Sequence, residues 1–266
     1  ATSTTVNYIS SNGSQDNIYM MQDGDANMGF VQSDVMAYAY AGSRLFEQDG
    51  AIDTFSTVAA LYMEQVQIVT LDPEITSVAD LEGKNVSVGA ANSGVYFNAM
   101  DILAAYGLTE DDINSTYQNF ADSTDALVNG TIDAAFVVAG APTAAVQELA
   151  TGRDVYLVSL DQEHIDALIE TSPYYSAYTI PADVYGTPED VQTVAVGAVV
   201  IANDDVSEDD VYNFLFGIFE NIPAISASHG KGAELDMEFA TSVTDVPYHP
   251  GAVAYFAEKG IEVPGK

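Results

Sequence analysis

Ser77-Val78-Ala79-Asp80-Leu81-Glu82-Gly83-Lys84-Asn85-Val86-Ser87-Val88-Gly89 runs on through Ala90-Ala91-Asn92-Ser93-Gly94-Val95. Asn85–Gly89 is a short β-branched run closed by glycine, which predicts a strand. Asn92-Ser93-Gly94 then offers cap residues, so Val95–Tyr106 predicts a helix that stops at Gly107. Strand, tight turn and helix in immediate succession form the repeating unit of a parallel, helix-covered sheet.

The same alternation extends in both directions. Short apolar or β-branched runs predict strands at Thr5–Ser10, Ala26–Gln32, Ser56–Val69, Ala134–Val138, Val155–Val158 and Val191–Ala202. Helical patterns lie between them: Asp122–Asn129 before Gly130, Thr143–Thr151 before Gly152, and Asp209–Ile222 after Ser207 with acids in its first turn. Phe30-Val31-Gln32-Ser33-Asp34 ends one strand and opens a helix. The fold class is therefore α/β. In such folds ligands sit at the carboxyl ends of strands, near helix N-termini.

The 266 residues can bury one large core or two modest ones. No apolar run approaches the roughly 20 residues that span a bilayer. No basic and apolar leader precedes Ala1, so a signal peptide is expected to have been removed already. The net charge of −34, from 40 acidic and 6 basic residues, repels phosphate backbones and excludes nucleic acid as a partner. The acids are spread along the whole chain (Asp23, Asp53, Asp111, Asp161, Asp209, Glu238), which predicts a solvated surface adapted to high salt. With no cysteine there is no disulfide, thiol nucleophile or thiolate metal site. Asn12, Asn85, Asn114 and Asn129 open sequons, which accept glycans only where the chain meets that machinery.

Catalytic and cofactor signals are missing. His164, His229 and His249 are too far apart for a zinc pair, and neither a Gly-x-Ser-x-Gly elbow nor a phosphate-binding Gly-rich loop occurs. Asp23-Gly24-Asp25-Ala26-Asn27 imitates a calcium loop, but Met28 stands where that loop needs glycine, so a turn into a strand is the better reading. The expectation is no enzyme, no cofactor and no metal.

The stretch at Ser77–Gly94 and Phe30–Asp34 joins Leu61-Tyr62, Asp133–Pro142, Ile180-Pro181 and Pro247-Tyr248-His249-Pro250-Gly251-Ala252. In that unbroken order, from Thr5 to Ile261, the set closely resembles the TAXI family of solute receptors, which serve TRAP-type secondary transporters. The resemblance implies a two-lobed, type II periplasmic-binding-protein fold, each lobe a mainly parallel sheet flanked by helices. Residues 1–71 and 192–266 would form lobe one and residues 72–191 lobe two, with the hinge near 71 and 191. It also implies an extracytoplasmic protein whose partners are TRAP transporter membrane subunits and a small carboxylate or amino acid, with glutamate-like ligands prominent in the family. Two departures stand out. The family's first strand, its Thr-Gly-Gly-Thr-like turn and the following helix have no counterpart before Thr5. An unfilled strand position could recruit a second chain, so self-association, or an assembly subunit that polymerises, is the alternative expectation. The loop before Val95 also lacks the family's Pro-Gly-Ser-Gly pattern.

Within that frame the ligand-binding candidates divide by position. Asn92, Ser93, Gly94 and Val95 open a helix and could present amides and a hydroxyl to a carboxylate, or simply cap it. Gln32 and Ser33 end a strand, where they could meet ligand or cap a helix. Ser11 and Ser14 occupy a similar strand-to-helix turn. Tyr62 could line the cleft or pack half-buried. Gly140 and Pro142 follow a fully apolar strand, with proline at the first helical position as the structural alternative. Of the few cations (Arg44, Arg153, Lys84, Lys231, Lys259 and Lys266), none falls in these motifs, so neutral donors are expected to carry carboxylate recognition.

Overall fold

A computed structural model describes residues 4–266; residues 1–3, the start of the expected first lobe, lie outside the described residues. The elements are α1 (Ser14–Gln22), β1 (Met28–Gln32), α2 (Ser33–Ala41), β2 (Phe55–Thr70), β3 (Asn85–Ser87), α3 (Gly94–Ala105), β4 (Asn114–Thr116), α4 (Phe120–Val128) and β5 (Ala134–Ala139). They continue with α5 (Ala144–Gly152), β6 (Tyr156–Leu157), α6 (Gln162–Thr171), β7 (Ser176–Ile180), β8 (Val191–Asn203), α7 (Glu208–Phe219), α8 (Ile222–Ser228), α9 (Met237–Ala240) and α10 (Pro250–Glu258). Two compact units result: Ala1–Tyr62 with Gly197–Lys266, and Met63–Val196. The chain leaves the first unit inside β2 and returns to it inside β8. Residue 71 directly follows β2, and Val191 opens β8.

In the unit Met63–Val196, β3 pairs in parallel with both β4 and β5, the arrangement that the strand-turn-helix rhythm favours. The Gln65–Thr70 part of β2 runs antiparallel to β5, and β7 runs antiparallel to the start of β8. β5 is buried on both faces, which explains its wholly apolar sequence. Ala134, Phe136 and Val138 join a core with Val86, Val88, Ala99, Ile102 and Leu103, whereas Ala135 and Val137 join another with Ala126, Leu127, Val146 and Leu149. α3 thus covers one face and α4 and α5 the other.

In the first unit, β1 runs antiparallel to β8, Met28 facing Ala202 and Gln32 facing Ala198. Val58, Leu61, Val200, Val211, Leu215, Phe219, Tyr255 and Phe256 form its core with Tyr248. Gly251 lets α10 press against α7: a Cβ there would lie 2.2 Å from the Glu208 carbonyl oxygen.

The expected strand at Thr5–Ser10 does not form. The segment is extended coil, with Val6 65%, Tyr8 93% and Ile9 57% exposed. Its β-branched composition suits a strand, but its backbone has no ladder partner among the described residues, and composition alone does not stabilise one. On β1, Asn17 Nδ2 donates to the Phe30 carbonyl at 2.7 Å and the Gln32 amide donates to Ser14 Oγ at 3.0 Å. Side chains of α1 therefore take backbone groups that a neighbouring strand would otherwise use.

Candidate ligand-binding site

In the unit Met63–Val196 the candidate residues lie on the turn between β3 and α3. Val88 donates its amide to the Thr116 carbonyl at 2.9 Å, which extends the pairing of β3 with β4 up to the turn. Gly89 then adopts φ +90°, and a Cβ at this position would lie 2.5 Å from Val95 Cβ and 2.8 Å from Ser93 Oγ. Only glycine fits there. Asn92 takes a left-handed φ of 62°, which asparagine tolerates better than most side chains. The Ser93 amide closes the turn on the Ala90 carbonyl at 3.1 Å.

Ser93 is the N-cap of α3, yet its side chain makes no capping bond. The residue is 3% exposed and its Oγ has no hydrogen-bond partner. The first-turn amides of Gly94, Val95 and Tyr96 have no acceptor within the helix, and the dipole places partial positive charge at the same end. An unpartnered hydroxyl beside free amides can hold an anion. Tyr96 turns its hydroxyl away, donating to Glu110 Oε2 at 2.9 Å; burial, with that carboxylate, pushes its pKa up to about 12.

Gly140 and Pro142 lie on the loop after β5, whose backbone is held by side chains of the same unit. Ala141 donates its amide to Gln65 Oε1 at 2.7 Å and Thr143 donates to the Tyr185 hydroxyl oxygen at 2.6 Å. Tyr185 in turn donates to Gln67 Oε1 at 2.5 Å. Pro142 follows a cis peptide and precedes Thr143, the N-cap of α5, so it is not the first helical residue. The amides on either side of Pro142 are already committed within the fold.

In the other unit, Ser14 and Gln32 meet through the 3.0 Å bond that joins the starts of α1 and α2. Gln32 is 3% exposed and its Oε1 has no partner. Ser33 does not cap α2: its Oγ accepts from the Gly197 amide at 3.1 Å, and Gln32 occupies the N-cap position. Asp34 instead turns back on the chain, accepting from the Val35 amide at 2.9 Å. Ser11 is exposed and accepts from the Gly13 amide at 3.2 Å. Tyr62 is half-buried, with Lys231 Nζ 5.9 Å from its ring centroid. Lys231 is itself buried and pairs with Glu234 Oε1 at 2.6 Å. No motif pointed to this cation, because Gly230-Lys231-Gly232 reads as an ordinary loop.

The structure thus brings Asn92, Ser93, Gly94 and Val95 together on one turn, and Ser14, Gln32 and Ser33 around two helix starts; Ser11 stands apart on the surface. A separate groove of about 580 Å³ lies between α4 and α5, lined by Thr124, Asp125, Val128, Glu148, Leu149 and Arg153, and takes in none of these residues.

The fold has counterparts among solved structures. The periplasmic aliphatic sulphonate-binding protein SsuA of Escherichia coli is 15% identical over 93% of this chain and 70% of its own, with a TM-score of 0.50. A putative L-cystine ABC transporter protein of Listeria monocytogenes is 17% identical over 85% of this chain and 79% of its own, TM-score 0.50. The ligand-binding component of an ABC-type import system from Staphylococcus aureus, solved with zinc bound, is 10% identical over 97% and 82%, TM-score 0.51. At these identities the likeness is one of fold, the mixed α/β fold of type II periplasmic binding proteins. In sequence, residues 1–260 match the NMT1-like family. The chain is a member of the NMT1-like family.

Proposed function

We propose that this protein is a non-catalytic, extracytoplasmic solute receptor that captures a small carboxylate or amino acid for a membrane transporter. The observation that carries the reading is the start of α3, where the buried, unpartnered Ser93 hydroxyl stands at the free amides of Gly94, Val95 and Tyr96. Such a set of neutral donors suits one acid group and needs no arginine or lysine. Gln32, Ser33, Ser14 and Tyr62 are the polar candidates of the other unit, and a hinge near residues 71 and 191 belongs to the same proposal. The resemblance to TAXI receptors supports a TRAP-type transporter and a glutamate-like ligand. Two of the named neighbours are described as parts of ABC-type systems, and the names range from aliphatic sulphonate to L-cystine, so they support the receptor class and leave the ligand to the site.

The test is a thermal-shift and calorimetry panel of amino acids and organic acids in concentrated salt. At least one small carboxylate should raise the melting temperature of the wild-type protein. Ser93→Ala should leave the ligand-free melting temperature unchanged or slightly higher, because it removes an unpartnered buried group. Affinity should fall by about tenfold, the scale of one hydrogen bond to a charged group. A protein that no carboxylate stabilises would end this reading.

The assembly alternative has one feature in its favour, the exposure of Val6, Tyr8 and Ile9 together with that of Phe30, 54% exposed on the edge strand β1. Against it, Asn17 and Ser14 already occupy backbone groups of β1. Light scattering in concentrated salt separates the two readings: a monomer supports the receptor, and a ligand-blind polymer the assembly subunit.

A further inference from the structure

Tyr117-Gln118-Asn119 links β4 to α4 and carries no recognisable motif. Its geometry is specific. The Gln118 amide donates to the Gly89 carbonyl at 3.0 Å, one step beyond the bond from Val88 to Thr116. Asn119 caps α4, its Oδ1 accepting from the Asp122 amide at 2.9 Å. Gln118 is therefore pinned between two helix starts, directly against the first residue of the turn that presents Ser93.

Gln118 Oε1 is buried and has no hydrogen-bond partner. Buried polar atoms are nearly always paired, and an orphan calls for an explanation. Here two orphans lie on adjoining segments of one unit, Ser93 Oγ and Gln118 Oε1. They differ in chemistry. A hydroxyl can donate to an acid group, whereas an amide carbonyl can only accept. Gly89 stands between the two residues: its carbonyl accepts the Gln118 amide at 3.0 Å, and a Cβ on it would lie 2.8 Å from Ser93 Oγ.

We infer that Gln118 is a ligand-binding residue, and that the ligand is an acid carrying a hydrogen-bond donor on the carbon next to its carboxylate, a 2-amino or 2-hydroxy acid. The inference rests on the receptor reading above and sharpens it. Ser93 and the α3 amides take the carboxylate, and the Gln118 carbonyl takes the ammonium or hydroxyl. Acids without that donor, sulphonates included, leave the carbonyl unpaired and are disfavoured for that reason.

The experiment compares matched acids by calorimetry: L-glutamate, 2-hydroxyglutarate and glutarate, then L-alanine, L-lactate and propionate. The wild-type protein should bind the 2-substituted member of at least one set about tenfold or more tighter than the unsubstituted one. Gln118→Met, similar in size but lacking the carbonyl, should abolish that preference by weakening the 2-substituted acid more than the unsubstituted one. Gln118→Glu, which keeps an acceptor, should retain the preference. Equal wild-type affinity within each set would overturn this inference and leave the receptor reading standing, as would a Gln118→Met protein with its preference intact. Failure of the wild-type protein to bind any member of either set would overturn both.

Discussion

His249 shows how one side chain can tie a local hydrogen bond to the stability of a unit. It is 1% exposed, and its Nδ1 accepts the Gly251 amide at 3.2 Å, capping α10. Burial lowers its pKa below the ordinary 6.5, against the opposing pull of the Val206 backbone and the Asp204 and Glu208 carboxylates. A neutral ring can accept that bond and a protonated one cannot. The unfolded chain therefore binds a proton at higher pH than the folded one, and stability falls as pH drops through 6.5 towards the folded value. Urea unfolding at about pH 7.5 and about pH 5.5 should show this loss, and His249→Gln should remove the part of it that comes from this ring. At the same scale, the sequence marked Ser93 as a donor at a helix start, but it could not show that the hydroxyl stays unpartnered. Gln118 left no trace at all, since a glutamine among polar neighbours follows no periodicity and only the fold brings it to Gly89.

At the scale of elements, Gly89 fixes where β3 ends and α3 begins. Gly89→Ala must relieve both a left-handed φ and a 2.5 Å approach to Val95. We expect a loss of about 2 kcal/mol in chemical denaturation, the usual range for a strained backbone position with overpacking. Ligand affinity should fall with it, because the turn that orients Ser93 must move. Elements whose signal comes from their own burial were legible in the sequence. Ala134–Val138 and Val191–Ala202 read as strands because both of their faces are covered, and the helix at Val95–Tyr106 lies one residue from α3. β4 was not legible, being three polar residues that owe their strand form to β3. Thr5–Ser10 errs the other way: its residues favour a strand, and it finds no partner.

At the scale of the whole molecule, charge dominates. Forty acids face six bases. Among the described residues, Lys231 pairs with Glu234, Lys259 with Glu220 and Lys266 with Asp204. Most carboxylates are thus left to repel one another through solvent. Screening shortens from about 10 Å at 0.1 M salt to about 3 Å at 1 M. The melting temperature should accordingly rise steeply between about 0.1 M and about 1 M potassium chloride, and a flat profile would show that the acids are not repelling in the folded state. Composition alone made this property legible, whereas the division into units depended on where β2 and β8 cross. That crossing also sets an order of events during synthesis. The unit Met63–Val196 is complete once Val196 has been made, whereas the other unit must wait for the residues after Gly197. Domains fold as units when their chain is available, so the unit Met63–Val196 can form before the unit that needs residues from both sides of it.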